Sequence, residues 1–445
     1  MPTRVSRSDR LCSLFCVMKS RIKNITESRF NKDLIWNAGA FGMISVIGVL
    51  INIVILNVYD ASALGVFNQV YAIYIMLSQI AVGGVHLSVQ AFIPKYAKRA
   101  DHAGLVLYSA LLHSVLSSVA VIFLCYAFAD YTGKILGSPQ VSDGFRIAAW
   151  GLLFFSMNKV MLAYFNGVRR MKVFAFFQLM RFVLMFAILM VLVGGNNRDS
   201  YRLCVMLSVS EAILFLFISV LVVRSVPYTG GLKFKAWMKR NFKFGNRALA
   251  GNFLLDINTR VDVFILGIFL SDKMVGIYSF ASTIAEGFMQ LPVLFRNNIN
   301  PVITDAYARG KSTLKTVLSK NSKAFYKILS PLAALSILAF PIVTWVSGVG
   351  EDGYAMWVVY AILIGSVVLT SGFLPFVMIF NQIGRPHIQT YFIFWIFLSN
   401  LVFNLIFVPW MGIYGAALGT ALSFVMQVFI MKAYLKPVFA EMKNK

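Results

Sequence analysis

Apolar runs of membrane length recur along almost the whole chain, separated by short polar turns, with no stretch of soluble-domain length between them. A helix needs about 20 mostly apolar residues to cross a bilayer. Windows of that kind fall at 35–57, 63–88, 104–128, 145–166, 173–193, 203–223, 247–270, 276–299, 328–349, 355–380, 390–408 and 412–435. The pattern therefore predicts an all-α polytopic membrane protein with twelve transmembrane helices. Two windows carry charge through their middles: 247–270 contains Asp256, Arg260 and Asp262, and 276–299 contains Glu286 and Arg296. A charge facing lipid costs roughly 2.5–3.5 kcal/mol on insertion scales, so such residues turn toward a partner or a wet cavity and mark a pathway by default.

The two halves of the chain repeat one another. At an offset of 211 residues, LGVFNQVYAIYIMLSQ falls on VGIYSFASTIAEGFMQ, which matches Gly65 to Gly276, Phe67 to Tyr278 and Gln79 to Gln290. The same register places KYAKR on AYARG, and FNGVRR (165–170) resembles FNQIGR (380–385) at an offset of 215. The matches relate span 2 to span 8 and span 4 to span 10. Six is an even number of crossings, so both halves enter the membrane in the same sense, as a parallel repeat about an axis along the membrane normal. The reading divides the chain into a disordered cytoplasmic tail (1–33), a six-helix bundle (34–223), a basic linker (224–245), a second six-helix bundle (246–436) and a short tail (437–445).

Composition agrees: 59% of residues are hydrophobic and 13% charged, with a mean hydropathy of +0.76. The net charge of +24 would suit nucleic acid, but its placement follows the positive-inside rule instead. With both termini cytoplasmic, 31 of the 41 Lys and Arg fall in inner segments and five in outer ones: Lys134, Arg146, Arg198, Arg202 and Lys273. The remaining five, Lys159, Arg181, Arg247, Arg260 and Arg296, lie within spans or at their mouths. Cys12, Cys16, Cys125 and Cys204 have no metal or redox spacing, and the four histidines show no ligand spacing. The N-terminal LCSLFCVM lacks a cleavage site and is followed by more basic residues, so a tail is read rather than a signal peptide; Met18 is an alternative start.

The Gly-aromatic pair opening spans 2 and 8 (ALGVFNQVY, VGIYSFAS), the stretch DVFILGIFLSDKMVGIYSFA and FNGVRR closing span 4 carry a resemblance. Together with two six-helix halves, they make the chain resemble the O-antigen and polysaccharide flippases of the multidrug/oligosaccharidyl-lipid/polysaccharide (MOP) exporter superfamily. The resemblance implies a V-shaped alternating-access carrier in the bacterial inner membrane. Its cargo would be an undecaprenyl-pyrophosphate-linked repeat unit, moved from the cytoplasmic to the periplasmic leaflet. The implied partners are that lipid-linked oligosaccharide, membrane lipids, an O-antigen polymerase and a chain-length regulator, and not nucleic acid. No cofactor is implied beyond a coupling ion, H+ or Na+. The superfamily's multidrug branch exports organic cations, so fold alone does not choose the cargo.

Charge sign bears on that choice. A pyrophosphate is best met by cations, guanidinium above all, and the candidates to hold it are Arg260, Arg181, Arg296, Lys159 and Arg247. The acids Asp262, Glu286, Asp256 and Glu211 are candidates for ion coupling or charge pairing. Asp256 and Arg260 stand four residues apart, where an unbroken helix would make them an internal pair. Asp262 points away from Arg260 toward another span or a cation, and Glu286 shares a helix face with Gln290 as a proton or sodium relay or a hydrogen-bonded neutral acid. Arg296 and Lys159 either meet substrate or snorkel, and Glu211 is a candidate partner for Arg181. Pro292 and Pro375 are candidate hinges. A multidrug cation antiporter and a membrane enzyme of polysaccharide assembly stand as alternatives. Short outer loops, the absence of a D-x-D cluster from the cytoplasmic loops and the absence of a phosphate-cradling Gly loop weigh against the enzyme.

Overall fold

The computed structural model describes residues 29–96, 99–195, 198–228 and 232–442; the first 28 residues, with Met18, Cys12 and Cys16, lie outside them. The described chain is helical throughout and has no strand. In hydrocarbon each backbone N–H and C=O must be satisfied within its own segment, and apolar runs of this length therefore coil.

The first half comprises α1 (Arg29–Val58), α2 (Ala61–Val82), α3 (Val85–Tyr96), α4 (Ala100–Ile135), α5 (Pro139–Gly167), α6 (Met171–Val193) and α7 (Val205–Ser225). The second comprises α8 (Leu232–Asn258), α9 (Val261–Phe269), α10 (Asp272–Ala308), α11 (Lys311–Val346), α12 (Asp352–Thr370), the short α13 (Ile379–Gln382) and α14 (Pro386–Glu441). Among the described residues, nine helices are long and apolar enough to span a membrane. One of them, α14, is two antiparallel spans joined at Gly412, whose φ of 59° belongs to the left-handed region that glycine tolerates. A Cβ at Gly415 would stand 2.1 Å from the Phe407 carbonyl oxygen, so the hairpin closes with no room for a side chain. The two charged windows are not among the nine: 247–270 is split between α8 and α9, and 276–299 lies within α10.

The described residues are helical from Arg29, inside the segment read as tail, and α14 continues to Glu441 beyond the boundary drawn at 436. The basic linker is also helical from Leu232 and runs unbroken into the seventh span. Its apolar face seats on the first bundle. Trp237 packs edge-on against Phe92, and Asn241 donates to the Val106 carbonyl and accepts from Ser88.

One apolar core runs through both halves, from Ile51 to Ala417. A second, built on Ile299, Leu314, Phe325, Phe380 and Phe392, stays within the C-terminal half. The halves meet most closely where α2 crosses α10. A Cβ at Gly65 would stand 1.8 Å from the Asp272 carbonyl oxygen, and one at Gly276 1.8 Å from that of Ala61. The offset of 211 seen in the sequence carries Gly65 onto Gly276 and Ala61 onto Asp272, so it exchanges the two contacts, as expected of a symmetry axis passing between two small residues. Polar contacts at the same end join the halves further: Gln69 Nε2 and Ser138 Oγ each donate to the Asp272 carboxylate at 2.7 Å.

Pro292 lies within a continuous α10 and Pro375 in the 3-10 turn Leu374–Phe376, which separates α12 from α13. If Pro292 is the hinge, Pro292→Ala slows transport several-fold without lowering thermal stability; transport at the wild-type rate assigns the proline no hinge role.

Candidate functional site

Below the Gly65–Gly276 crossing lies a cleft of about 160 Å³ lined by α1, α2 and α6 on one side and by α10 with Arg260 on the other. Thr283, Glu286, Gly287 and Gln290 present one stripe of α10 to it, at the three- and four-residue spacing of a helix face. Asn52, Asn68 and Tyr71 line it from the first half.

Arg260 is placed by a helix break. α8 ends at Asn258 and α9 starts at Val261, with Arg260 between them at φ −132°. A break within a bilayer frees backbone groups, and Asn400 of α14 donates to the Asn258 carbonyl at 3.2 Å. The break also removes the geometry that would pair Arg260 with Asp256. Arg260 instead grips Glu286 of α10 with both arms, Nη1 to Oε1 and Nη2 to Oε2 at 3.0 Å each. Its guanidinium lies 5.3 Å from the ring centroid of Tyr71 on α2, so one residue touches both halves. The two-pronged arrangement is the one guanidinium makes with carboxylate or phosphate.

A second polar cluster lies across the cleft in the first half. Arg181 Nε stands 2.5 Å from Glu211 Oε1, and Asn158 Nδ2 donates to Glu211 Oε2 at 2.8 Å. Phe155 carries two cations on its ring, Arg181 at 4.7 Å and Lys159 at 5.7 Å. Lys159 Nζ donates to Gln79 Oε1 at 2.7 Å. Lys159 and Asp256 are also close enough to feel each other's charge across the two halves. A small cavity of about 100 Å³ beside Arg181 shares Tyr71 with the cleft, so the clusters form one polar strip.

Of the residues singled out in the sequence, Arg260 and Glu286 line the cleft, while Arg181 and Glu211 line the adjoining cavity. Lys159 and Asp256 line neither, although each lies within electrostatic reach of the other. Asp262 is buried, with Tyr278 donating to Oδ2 and the Val263 amide to Oδ1 at 2.8 Å. Arg296 is half-buried and Arg247 exposed, both outside the cleft lining. Tyr71, Phe155, Gln79 and Asn158 were not singled out. Their only advance signal was position, within a turn or so of a buried charge or in the repeated segment.

Glu211 is nearly sealed, its side chain 3% exposed, against 14% for Arg181. Removing one member of a buried pair strands the other, at about 3–5 kcal/mol. Arg181→Met is therefore expected to lower the thermal midpoint in detergent sharply, and Arg181→Met with Glu211→Met to recover most of the loss. An unchanged midpoint for the single variant would show that the pair contributes little.

Residues 70–352 match the family model described as polysaccharide biosynthesis protein. The chain belongs to this family. No curated protein sequence matches it. Among solved structures, it resembles a multidrug resistance MATE family transporter of the MOP superfamily in an inward-facing conformation, with a TM-score of 0.76 at 14% identity over 93% of this chain and 99% of that one. It also resembles the lipid II flippase MurJ in an inward closed conformation, with a TM-score of 0.75 at 14% identity over 90% of this chain and 87% of that one. A third is a MOP superfamily transporter from Pyrococcus furiosus, described as having a binding pocket of reverse polarity, with a TM-score of 0.62 at 14% identity over 95% and 98%. This polysaccharide biosynthesis protein thus shares the fold of these transporters, and its cleft lies between the two halves of that fold.

Proposed function

We propose that this polysaccharide biosynthesis protein is an alternating-access flippase for a polyprenyl-pyrophosphate-linked sugar repeat unit, moving it from the cytoplasmic to the periplasmic leaflet of the bacterial inner membrane. The supporting observation is the two-pronged Arg260–Glu286 pair in a cleft shared by both halves. A pyrophosphate offers Arg260 the same oxygen geometry as Glu286 does and carries more negative charge, so it competes for the guanidinium. Glu286, once displaced, is a carboxylate in a poorly solvated cleft and takes up a proton or Na+. Cargo binding and ion binding are thereby linked through one exchange. Arg181 and Lys159 extend the positive strip; Arg296 and Arg247, toward the basic inner segments, are proposed to meet the headgroup on entry. Asp262, bonded to Tyr278, is a second coupling candidate. The glycan crosses in the cleft and the polyprenyl tail stays in lipid. Delivery to a polymerase and chain-length regulator would follow.

The exchange is testable with Glu286→Gln, which keeps a hydrogen-bonding partner for Arg260 but has no charge to titrate. In inverted membrane vesicles, wild-type transport is expected to rise several-fold when a proton or sodium gradient is imposed, and the variant to be indifferent to it. Equal stimulation of both would remove Glu286 from coupling.

One observation favours a multidrug cation antiporter: the Glu286 side chain is 37% exposed against 17% for Arg260, so the carboxylate faces the cleft more openly. That reading requires Arg260→Ala to leave drug efflux intact.

A further inference from the structure

A groove away from the cleft lies at the lysine-rich end of the C-terminal half, between the start of α11 and the end of α14. It measures about 350 Å³, has Phe373, Phe376 and Ile379 as its floor, and carries Lys315 and Lys323 on its α11 wall. A wider cavity of about 560 Å³ shares Leu435 and Phe439 with it and adds Lys432 and Lys436. The two are continuous in character as well, since Lys432 Nζ stands 4.9 Å over the ring of Phe373. All four lysines are exposed, and none forms an ion pair with the described residues. The acids closest to them in sequence are engaged elsewhere, Asp305 with Arg309 and Glu441 with Arg385.

Position and chemistry together restrict what fits. α11 has 36 residues, which at 1.5 Å per residue is roughly 54 Å, far longer than a hydrocarbon core of about 30 Å. Its lysine-bearing first half therefore stands at the headgroup level while the rest crosses the lipid. A soluble anion would use the lysines and gain nothing from the aromatic floor; a neutral lipid would use the floor and leave four ammonium groups uncompensated. A lipid with a charged phosphate head and apolar chains satisfies both. We propose that this groove binds an anionic diacyl phospholipid, its phosphate among Lys315, Lys323 and Lys432 and an acyl chain along Phe373, Phe376 and Leu435. The site is separate from the transport cleft and would anchor the C-terminal half in the anionic leaflet.

The test is native mass spectrometry of the full chain purified in neutral detergent with added dioleoyl phosphatidylglycerol. Each lysine near an anionic lipid head contributes roughly a fivefold gain in affinity. Lys315→Gln with Lys323→Gln and Lys432→Gln is therefore expected to lower retention of one bound phosphatidylglycerol by more than about tenfold. Lys320→Gln with Lys327→Gln, on the same helix but outside the groove, is expected to leave it unchanged. A photoreactive phosphatidylglycerol on the unmodified chain, which does not depend on any variant folding, is expected to label peptides containing Tyr326 and Leu435. Four results would overturn the proposal: equal retention by both sets of variants, equal retention of phosphatidylcholine, displacement by millimolar inorganic phosphate, which would indicate a free-anion site, or labelling elsewhere.

Discussion

Gly65→Ala or Gly276→Ala is expected to abolish transport while leaving the protein folded and in the membrane. Each new Cβ would stand 1.8 Å from a carbonyl oxygen on the opposing helix, a separation that real Cβ atoms do not show and that backbone cannot relieve by a rotamer change. α2 and α10 would have to move apart, which breaks the hydrogen bonds that Gln69 and Ser138 make to Asp272. Neither glycine lines the cleft, so the loss would come from the closed end of the transport cycle and not from cargo binding. Overpacking of this kind costs about 1–3 kcal/mol and more where backbone meets backbone. A penalty of that size lowers the ratio of the closed state to the open one by about 5- to 150-fold. A double-cysteine pair at Gln69 and Asp272 reads the state directly. It is expected to cross-link readily in the parent and at least about tenfold more slowly with Gly65→Ala, as a shift of about 1.4 kcal/mol implies. Cross-linking at the parent rate would mean that the crossing tolerates a side chain.

The second large effect is expected at Arg260. Arg260→Ala removes two charge-assisted contacts worth about 1.5–3 kcal/mol each, so the affinity for a pyrophosphate-linked cargo should fall by at least about a hundredfold. Arg260→Lys keeps the charge but not the fork and should fall between the parent and the alanine variant. The pairing makes a further distinction. If Arg260 only neutralised Glu286, then Arg260→Ala combined with Glu286→Gln would restore transport, since no unpaired charge would remain. If Arg260 holds the cargo, the double variant stays inactive although it is stable. Accumulated lipid-linked intermediate and thermal stability, measured side by side, separate the two.

The sequence carried the architecture because a bilayer enforces apolar runs of fixed length, and it carried the closed end because the repeat put Gly65 and Gly276 in register. The Arg181–Glu211 pair was also legible, as two isolated charges on neighbouring spans with few other partners. The Asp256–Arg260 spacing misled for a local reason. An i,i+4 pair requires an unbroken helix, and this one breaks between Asn258 and Val261, with Asn400 supplying the bond that the break leaves open. A donor 142 residues distant cannot be read from local periodicity. Tyr71 and Phe155 escaped for a different reason. Aromatic residues are frequent throughout the chain, and only the fold shows which rings lie under guanidinium groups.

The central claim is that the cleft carries an anionic, lipid-linked saccharide. Complementation of a strain lacking its own repeat-unit flippase tests it most directly, reading surface polysaccharide and the lipid-linked intermediate on the cytoplasmic face for the parent chain beside Arg260→Ala. The account predicts restored polymer with the parent chain and accumulated intermediate with the variant. Equal restoration by both would contradict a cargo-holding role for Arg260. Failure of the parent chain with every matched repeat unit, together with raised resistance to cationic drugs in the same cells, would contradict the flippase reading itself.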